Sequence, residues 1–149
     1  MTPSLGQTAT TAAACILCKE PGGTTIWEDR FARIVLVGDL EHPGFCRVIW
    51  KAHQTEMTDL SDAERTRFMS LVFAVEHSLR ALLAPAKINL ASLGNMVPHL
   101  HWHVIPRFAD DPHFPNAVWS ARVRDGVRAL PANFAALLHQ RLDDILAKR

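Results

Sequence analysis

The sequence predicts an α+β fold, with an antiparallel sheet packed against one long helix and a C-terminal helix. Three observations carry this prediction. Short apolar runs alternate with turn residues, two longer segments have apolar residues at helical spacing, and histidine alternates with apolar residues over 99–105. Strands joined as hairpins, with a long helix inserted between them, are typical of this class.

The N-terminal half predicts three strands. The first two cover residues 26–28 and 33–37 and are joined by a turn at Asp29-Arg30. A loop over residues 38–44 then leads to a third strand at 45–50. Short connections of this kind favour pairing as hairpins.

The long helix is expected after the third strand. Thr58 or Ser61 can cap its N-terminus, and Ser61 with Glu64 has the spacing of a capping box. Apolar residues then recur at helical spacing from Phe68 to Leu83, and the next proline ends the run.

The second half predicts two further strands and the closing helix. Strands at 87–90 and 99–106 flank a turn at Gly94-Asn95. A loop rich in proline and aspartate covers 110–115, and an amphipathic helix covers 132–147.

Composition bounds the class of protein. A chain of 149 residues that is 48% hydrophobic fits one domain, expected over 15–149 behind a mobile tail at 1–14. The net charge of +1 gives no reason to expect nucleic acid as a partner, and no apolar run approaches the ~20 residues of a membrane span. The tail lacks the features of a signal peptide, and three cysteines, an odd number, favour a reduced, cytoplasmic protein.

The row formed by His99, His101 and His103 is the main candidate for chemistry. Alternate side chains of a strand share a face, so the three imidazoles are expected on one face and Leu100 and Trp102 on the other. Three interpretations are open. The histidines can hold a catalytic metal, the central imidazole can act as a nucleophile on an anionic substrate, or all three can merely satisfy hydrogen bonds on a half-buried strand.

A second motif is the Cys-x-x-Cys formed by Cys15 and Cys18. Such a pair serves either redox or metal sites, and no strand–helix–strand context follows that would favour redox chemistry. Zinc would need two more ligands, and His53 and His99 are available. A pair of buried thiols without metal is the alternative. Cys46 alternates inward on its strand and is expected in the core.

The stretch 99–105 resembles the signature of the histidine-triad family, His-φ-His-φ-His-φ-φ, where φ is apolar. The likeness extends from Cys15 to about Trp119 and points to the branch with an N-terminal Cys-x-x-Cys. The other matching positions are Pro43-Gly44, Gly94-Asn95-Met96-Val97 and Pro106-Arg107.

This resemblance implies hydrolysis or nucleotidyl transfer at the α-phosphate of adenosine phosphoramidates or dinucleoside polyphosphates, without a catalytic metal. His101 would be the nucleophile that forms a nucleotidyl-histidine intermediate. His103 would donate to phosphate oxygens or to the leaving group, and His99 would anchor their strand. The positions implied in nucleotide binding are Asn89, Asn95, Met96 and Asp39.

The resemblance also implies a homodimer and a structural zinc site. The zinc would have a closed ligand set and would take no part in the reaction. The zinc ligands would be Cys15, Cys18, His53 and His99. Two other functions stay open. One is a metal-dependent hydrolase that uses the three strand histidines as ligands, and the other is a nucleotide-binding protein with weak catalysis.

The chain departs from the family pattern at two positions. Phe45 stands where the commoner form has the histidine of Pro-Gly-His, and Asn95 stands where glutamine is usual. The first change bears on how the protonation of the triad is set. His42, three residues earlier, is a possible replacement, but we do not expect it to compensate.

Overall fold

The computed structural model describes residues 11–126 and 128–148, which form a five-stranded antiparallel sheet with its two long helices on one face. The first ten residues of the expected tail lie outside the described residues. In chain order the main elements are α1 (Ile16–Lys19), β1 (Thr24–Glu28), β2 (Ala32–Leu36), β3 (Cys46–Trp50), α2 (Asp62–Leu83), β4 (Lys87–Ala91), β5 (His101–Arg107) and α3 (Phe134–Leu146).

The strands lie in the order β1-β2-β3-β5-β4, and every neighbouring pair is antiparallel. In the pairing of β3 with β5, Ile49 lies opposite His101 and Arg47 lies opposite His103. Residues directly opposite each other in an antiparallel pair point to the same face. The two histidines of β5 therefore share a face with Arg47 and Ile49.

The other face of the sheet carries the main hydrophobic core. Helices α2 and α3 cover it, and Val48, Val104 and Phe68 are completely buried between them. Cys46 belongs to this core, as predicted, and burial raises the pKa of its thiol to about 12. The histidine-bearing face has a smaller apolar cluster, formed by Cys15, Leu17, Val35 and Ile49.

Helix α2 has the boundaries that the sequence predicts. The Ser61 hydroxyl accepts the Glu64 N–H at 3.3 Å, and the Glu64 carboxylate accepts the Ser61 N–H at 2.8 Å, which completes the capping box. The helix ends at Leu83, and Ala84 turns the chain with a positive φ of 44°. Within the described residues no helix, α2 included, is long and apolar enough to cross a membrane.

The histidine strand begins two residues later than predicted. The N–H of His99 turns back to the carbonyl of Val97 at 2.8 Å, and the pairing of β4 with β5 ends at Ala91 and His103. The expectation that one strand carries all three histidines is therefore wrong. Only His101 and His103 belong to β5, and His99 precedes it.

Candidate active site and metal cluster

His101 and His103 lie side by side on β5, and each is only 6% exposed. Their rings are nearly perpendicular, with centroids 4.8 Å apart. They form one wall of an open pocket of about 550 Å³ on the sheet face opposite α2. Other residues that line it include Arg47, Leu93, Asn95, Met96 and Trp119.

One hydrogen bond fixes the protonation of the His101 ring. Its Nδ1 lies 2.6 Å from the backbone oxygen of His99, and a carbonyl only accepts, so Nδ1 carries the proton and Nε2 keeps its lone pair. Burial lowers the pKa of His101 below its ordinary value, and the charge of Arg47 adds to this effect. The ring is thus a neutral imidazole at pH 7, which is the nucleophilic form.

His103 has no such hydrogen bond. Its Nδ1 is buried and has no partner within the described chain. The rings of Phe45 and Trp119 pack against it edge-on, each with its centroid 5.5 Å away. Burial, followed by the charges of His101 and Arg47, lowers the pKa of His103 to about 4. His103 is therefore a neutral imidazole at pH 7, and the ring of Phe45 beside it offers no polar atom.

Two of the four residues implied in nucleotide binding line this pocket, namely Asn95 and Met96. Asn89 and Asp39 are not among the residues that line it. The side-chain oxygen of Asn89 accepts a hydrogen bond from Nη1 of Arg107 at 2.8 Å. The carboxylate of Asp39 accepts two backbone N–H groups of its own loop, at 2.8 and 3.0 Å.

The structure brings together the four residues proposed as metal ligands. The thiols of Cys15 and Cys18 and one ring nitrogen each of His53 and His99 all lie within 4.8 Å of one another. Nδ1 of His99 is 3.4 Å from both the Cys15 thiol and Nδ1 of His53, and the Cys18 thiol is 3.4 Å from the same His53 nitrogen. A tetrahedral zinc with bonds of about 2.0–2.3 Å separates its ligand atoms by about 3.3–3.8 Å. These residues fit a tetrahedral metal ion.

The hydrogen bonds of His99 leave its Nδ1 free to act as a metal ligand. Its Nε2 donates to the backbone oxygen of Trp50 at 2.6 Å, so Nδ1 is unprotonated and faces the thiols. The helix α1, which the sequence did not predict, carries Cys18. Arg33 on β2 donates to the backbone oxygens of Leu17, Glu20 and Pro21 and so attaches this segment to the sheet.

The three histidines of the motif do not converge on a common point. Both nitrogens of His99 are engaged away from the pocket, and Nδ1 of His101 is bound to a backbone oxygen. Among the described residues, the triad does not form a group of metal-ligand atoms. This geometry disfavours the interpretation in which His99, His101 and His103 share a catalytic metal.

A buried imidazole pair was not foreseen from the sequence. Nε2 of His42 lies 3.1 Å from Nδ1 of His113, and both residues are under 5% exposed. Asp111 is close enough to share a metal with them, but its oxygens already accept bonds from Arg107, Phe108, His113 and Phe114. We therefore interpret the pair as a contact between two loops. His42 does not replace the missing histidine, because Phe45 is the residue at His103.

Arg47 is a site residue that the sequence analysis did not single out. The signal was present, because alternation along β3 puts Arg47 on the face of Ile49, opposite the core face of Cys46 and Val48. An arginine at such a position, one strand away from the histidines, is an unusual feature of an otherwise apolar strand.

Comparison with known proteins identifies the relatives of the chain. Residues 19–110 match the HIT domain family. A curated relative, the AP-4-A phosphorylase of Mycobacterium tuberculosis, is 26% identical over an alignment of 105 residues that covers 63% of this chain and 54% of the relative. The chain thus spans about half the length of the curated relatives that it matches.

Solved structures share the fold. A histidine triad protein from Bradyrhizobium japonicum superposes with a TM-score of 0.70 at 24% identity, covering 82% of this chain and 92% of that protein. A zinc-bound histidine triad family protein from Mycobacterium smegmatis gives a TM-score of 0.63 at 24% identity, covering 93% of this chain and all of that protein. At these identities the likeness concerns the fold.

Proposed function

This chain belongs to the HIT domain family, and from that premise we propose that it cleaves nucleotides at the α-phosphate through a covalent intermediate on His101. The observation that carries the proposal is the 2.6 Å hydrogen bond from Nδ1 of His101 to the backbone oxygen of His99. It leaves the Nε2 lone pair for attack, on a ring that lines the pocket.

The reaction proceeds in two displacements. Nε2 of His101 bonds to the α-phosphorus while the bond from phosphorus to the leaving group breaks, and its electron pair departs with the leaving group. Water then attacks the same phosphorus, loses a proton to solvent and displaces the imidazole. Nucleoside monophosphate is released and His101 is restored. Backbone N–H groups near Asn95 and Met96 stabilise the charge that develops on the phosphate oxygens.

The substrate class is the finer part of the proposal. Adenosine phosphoramidates and dinucleoside polyphosphates both carry the required α-phosphate. The name of the mycobacterial relative, AP-4-A phosphorylase, supports the second class, although that protein is about twice as long as the matched segment. We propose an enzyme of one of these two activities, phosphoramidase or dinucleoside polyphosphate hydrolase.

Steady-state release of AMP tests this function. Wild type and His101→Ala are compared on adenosine phosphoramidate and diadenosine tetraphosphate, each with added divalent metal and with chelator. Turnover that survives brief chelation and is lost in His101→Ala supports the covalent mechanism. Turnover that requires added metal contradicts it and favours a metallohydrolase.

A second candidate rests on His103. Its ring is neutral and its Nδ1 has no partner among the residues that the structure describes, which favours a protein that binds nucleotide with weak catalysis, because an unprotonated imidazole is a poor source of protons. Tight AMP binding without turnover of either substrate would support this alternative.

We also propose that Cys15, Cys18, His53 and His99 hold a zinc ion. Four nitrogen and sulfur donors make a closed set, which is typical of structural zinc rather than catalytic zinc. The zinc would fix the N-terminal segment to the sheet and hold His99, whose backbone oxygen orients His101. No step of the reaction requires this ion or another metal.

We also propose that the protein forms a homodimer and is located in the cytoplasm. Phe73 on α2 and Trp119 beside the pocket are about half exposed, which supports burial against a second copy. Free thiols at the metal cluster suit a reducing compartment. Sedimentation velocity across a concentration series tests the dimer, and a monomer at all concentrations would overturn it.

A further inference from the structure

Arg47 is a cation that the described part of the chain leaves largely unpaired. Its Nε is buried without a hydrogen-bond partner among the described residues, and its Nη1 reaches only the backbone oxygen of Gly22, at a long 3.4 Å. The guanidinium carbon lies 5.9 Å from the centre of the Phe45 ring. Glu20 also lines the pocket but makes no ion pair with Arg47 in the described part of the chain.

Arg107, by contrast, is a buried arginine with a full set of hydrogen-bond partners. Its guanidinium donates twice to the Asp111 carboxylate, at 2.8 and 3.0 Å, and also to Asn89 and to the backbone of Asn116. A half-buried arginine without such partners is costly, because its charge has lost part of its hydration. Burial accordingly lowers the pKa of Arg47. An anion would offset this cost, and Arg47 lines an open pocket.

The position of Arg47 defines where an anion would meet its guanidinium group. Arg47 lies opposite His103 in the β3–β5 register and on the same face as His101, so its side chain reaches the pocket beside the nucleophile. Planar guanidinium groups bind phosphate through paired, charge-assisted hydrogen bonds. A phosphoryl group next to the α-phosphate of a nucleotide would lie beside His101 and would carry the negative charge that pairs with Arg47.

We propose that Arg47 is a specificity-determining residue that binds a phosphoryl group beyond the α-phosphate, so that the pocket selects nucleotides whose leaving group is itself a phosphate. This inference rests on the proposed function, since it takes His101 as the site of attack. When the bond between the α-phosphorus and its bridging oxygen breaks, the electron pair stays on that oxygen. Arg47 neutralises the resulting negative charge, and the leaving phosphate needs no proton.

The state of His103 agrees with this selection. An amine leaving group must take up a proton as it departs, and a neutral imidazole with a pKa of about 4 supplies one poorly at pH 7. A phosphate leaving group instead needs a nearby cation. The pocket provides that cation in Arg47 and lacks a protonated third histidine.

The test compares Arg47→Met, Arg47→Lys and a surface control on α2, Arg65→Met. For each, kcat/KM is measured on diadenosine tetraphosphate and on adenosine phosphoramidate. The quantity compared is kcat/KM on diadenosine tetraphosphate divided by kcat/KM on adenosine phosphoramidate. We expect Arg47→Met to lower this ratio by about tenfold or more, which is the effect of losing a charge-assisted hydrogen bond. Arg47→Lys should keep part of the ratio, and Arg65→Met should keep all of it.

A binding measurement separates this proposal from the proposed function. Calorimetric titration with ADP and AMP requires no turnover, and Arg47→Met should weaken ADP binding by about tenfold more than AMP binding. Equal effects on the two nucleotides, or on the two substrates, would overturn the role of Arg47 and leave the function standing. If the wild type cleaved neither substrate but Arg47→Met still lost the preference for ADP over AMP, the proposed function would be overturned and the anion subsite would be supported.

Discussion

Two imidazoles on the same strand face differ because of their hydrogen bonds. His101 donates to a backbone oxygen and is held in one tautomer, whereas His103 has a buried nitrogen with no partner among the described residues. The ring of Phe45 packs edge-on against His103 and offers it no polar atom.

Protonation of His103 links stability to pH. Its pKa is about 4 in the folded protein and near the ordinary 6.5 when unfolded, so the unfolded state binds more protons between these values. We expect the contribution of His103 to the free energy of unfolding to be at its maximum above pH 6.5. It should fall by up to about 3 kcal/mol as the pH drops toward 4. Urea unfolding at several pH values measures this fall. A His103→Gln variant with an unchanged pH dependence would contradict the assignment.

Replacing Phe45 tests the cause of this shift. In Phe45→His the new ring supplies an acceptor to His103, so we expect the pKa of His103 to rise toward 6.5. NMR titration of the ring carbon-bound protons measures it directly. Phe45→Leu is the matched control, which keeps the site apolar and should leave the pKa low. A low value in both variants would show that burial alone sets it.

At the scale of elements, the site depends on segments that pack on the open face of the sheet. The chain before β1 is attached by Arg33 and by the four-residue metal cluster. The loops around His42 and His113 are joined by their buried imidazoles. Both attachments are made through side chains and not through the backbone pairing of the strands.

The metal cluster predicts a selective loss of zinc. We expect about one zinc ion per chain in wild type, and a loss of most of it in Cys18→Ser, because a serine hydroxyl is a weak ligand for zinc. Elemental analysis of the purified protein measures this. Cys46→Ala, which removes a thiol outside the cluster, should keep the zinc. Equal zinc in both variants would show that the ion, if present, binds elsewhere.

The loop contact predicts a change in stability. His113→Ala leaves a buried nitrogen of His42 without its partner, which should lower the free energy of unfolding by about 1–3 kcal/mol. Denaturant unfolding at pH 7 measures the loss. His77→Ala, which removes an exposed imidazole from α2, should have little effect. If both variants were equally stable, the pair would not hold the loops.

At the scale of the whole molecule, the sequence predicted what periodicity and local motifs encode. Spacing predicted the sheet and α2 with its Ser61 cap. Spacing and resemblance together predicted that Cys15 and Cys18 approach His53 and His99. The start of β5 did not, because a backbone bond of His99 competes with strand pairing. Contacts between distant loops, such as His42 with His113, leave no local pattern. Alternation along β3 assigns Arg47 to the face away from the core, but its place opposite His103 follows only from the register of β3 with β5.

The central claim is a covalent nucleotidyl bond on His101. The measurement is mass spectrometry of the chain quenched in base during turnover of diadenosine tetraphosphate, followed by peptide mapping, since phosphorus–nitrogen bonds are labile in acid. We predict an added adenylyl group on the peptide with His101, absent from His101→Ala and present in the surface variant His77→Ala. Turnover without such an adduct, or an adduct on another residue, would contradict the account.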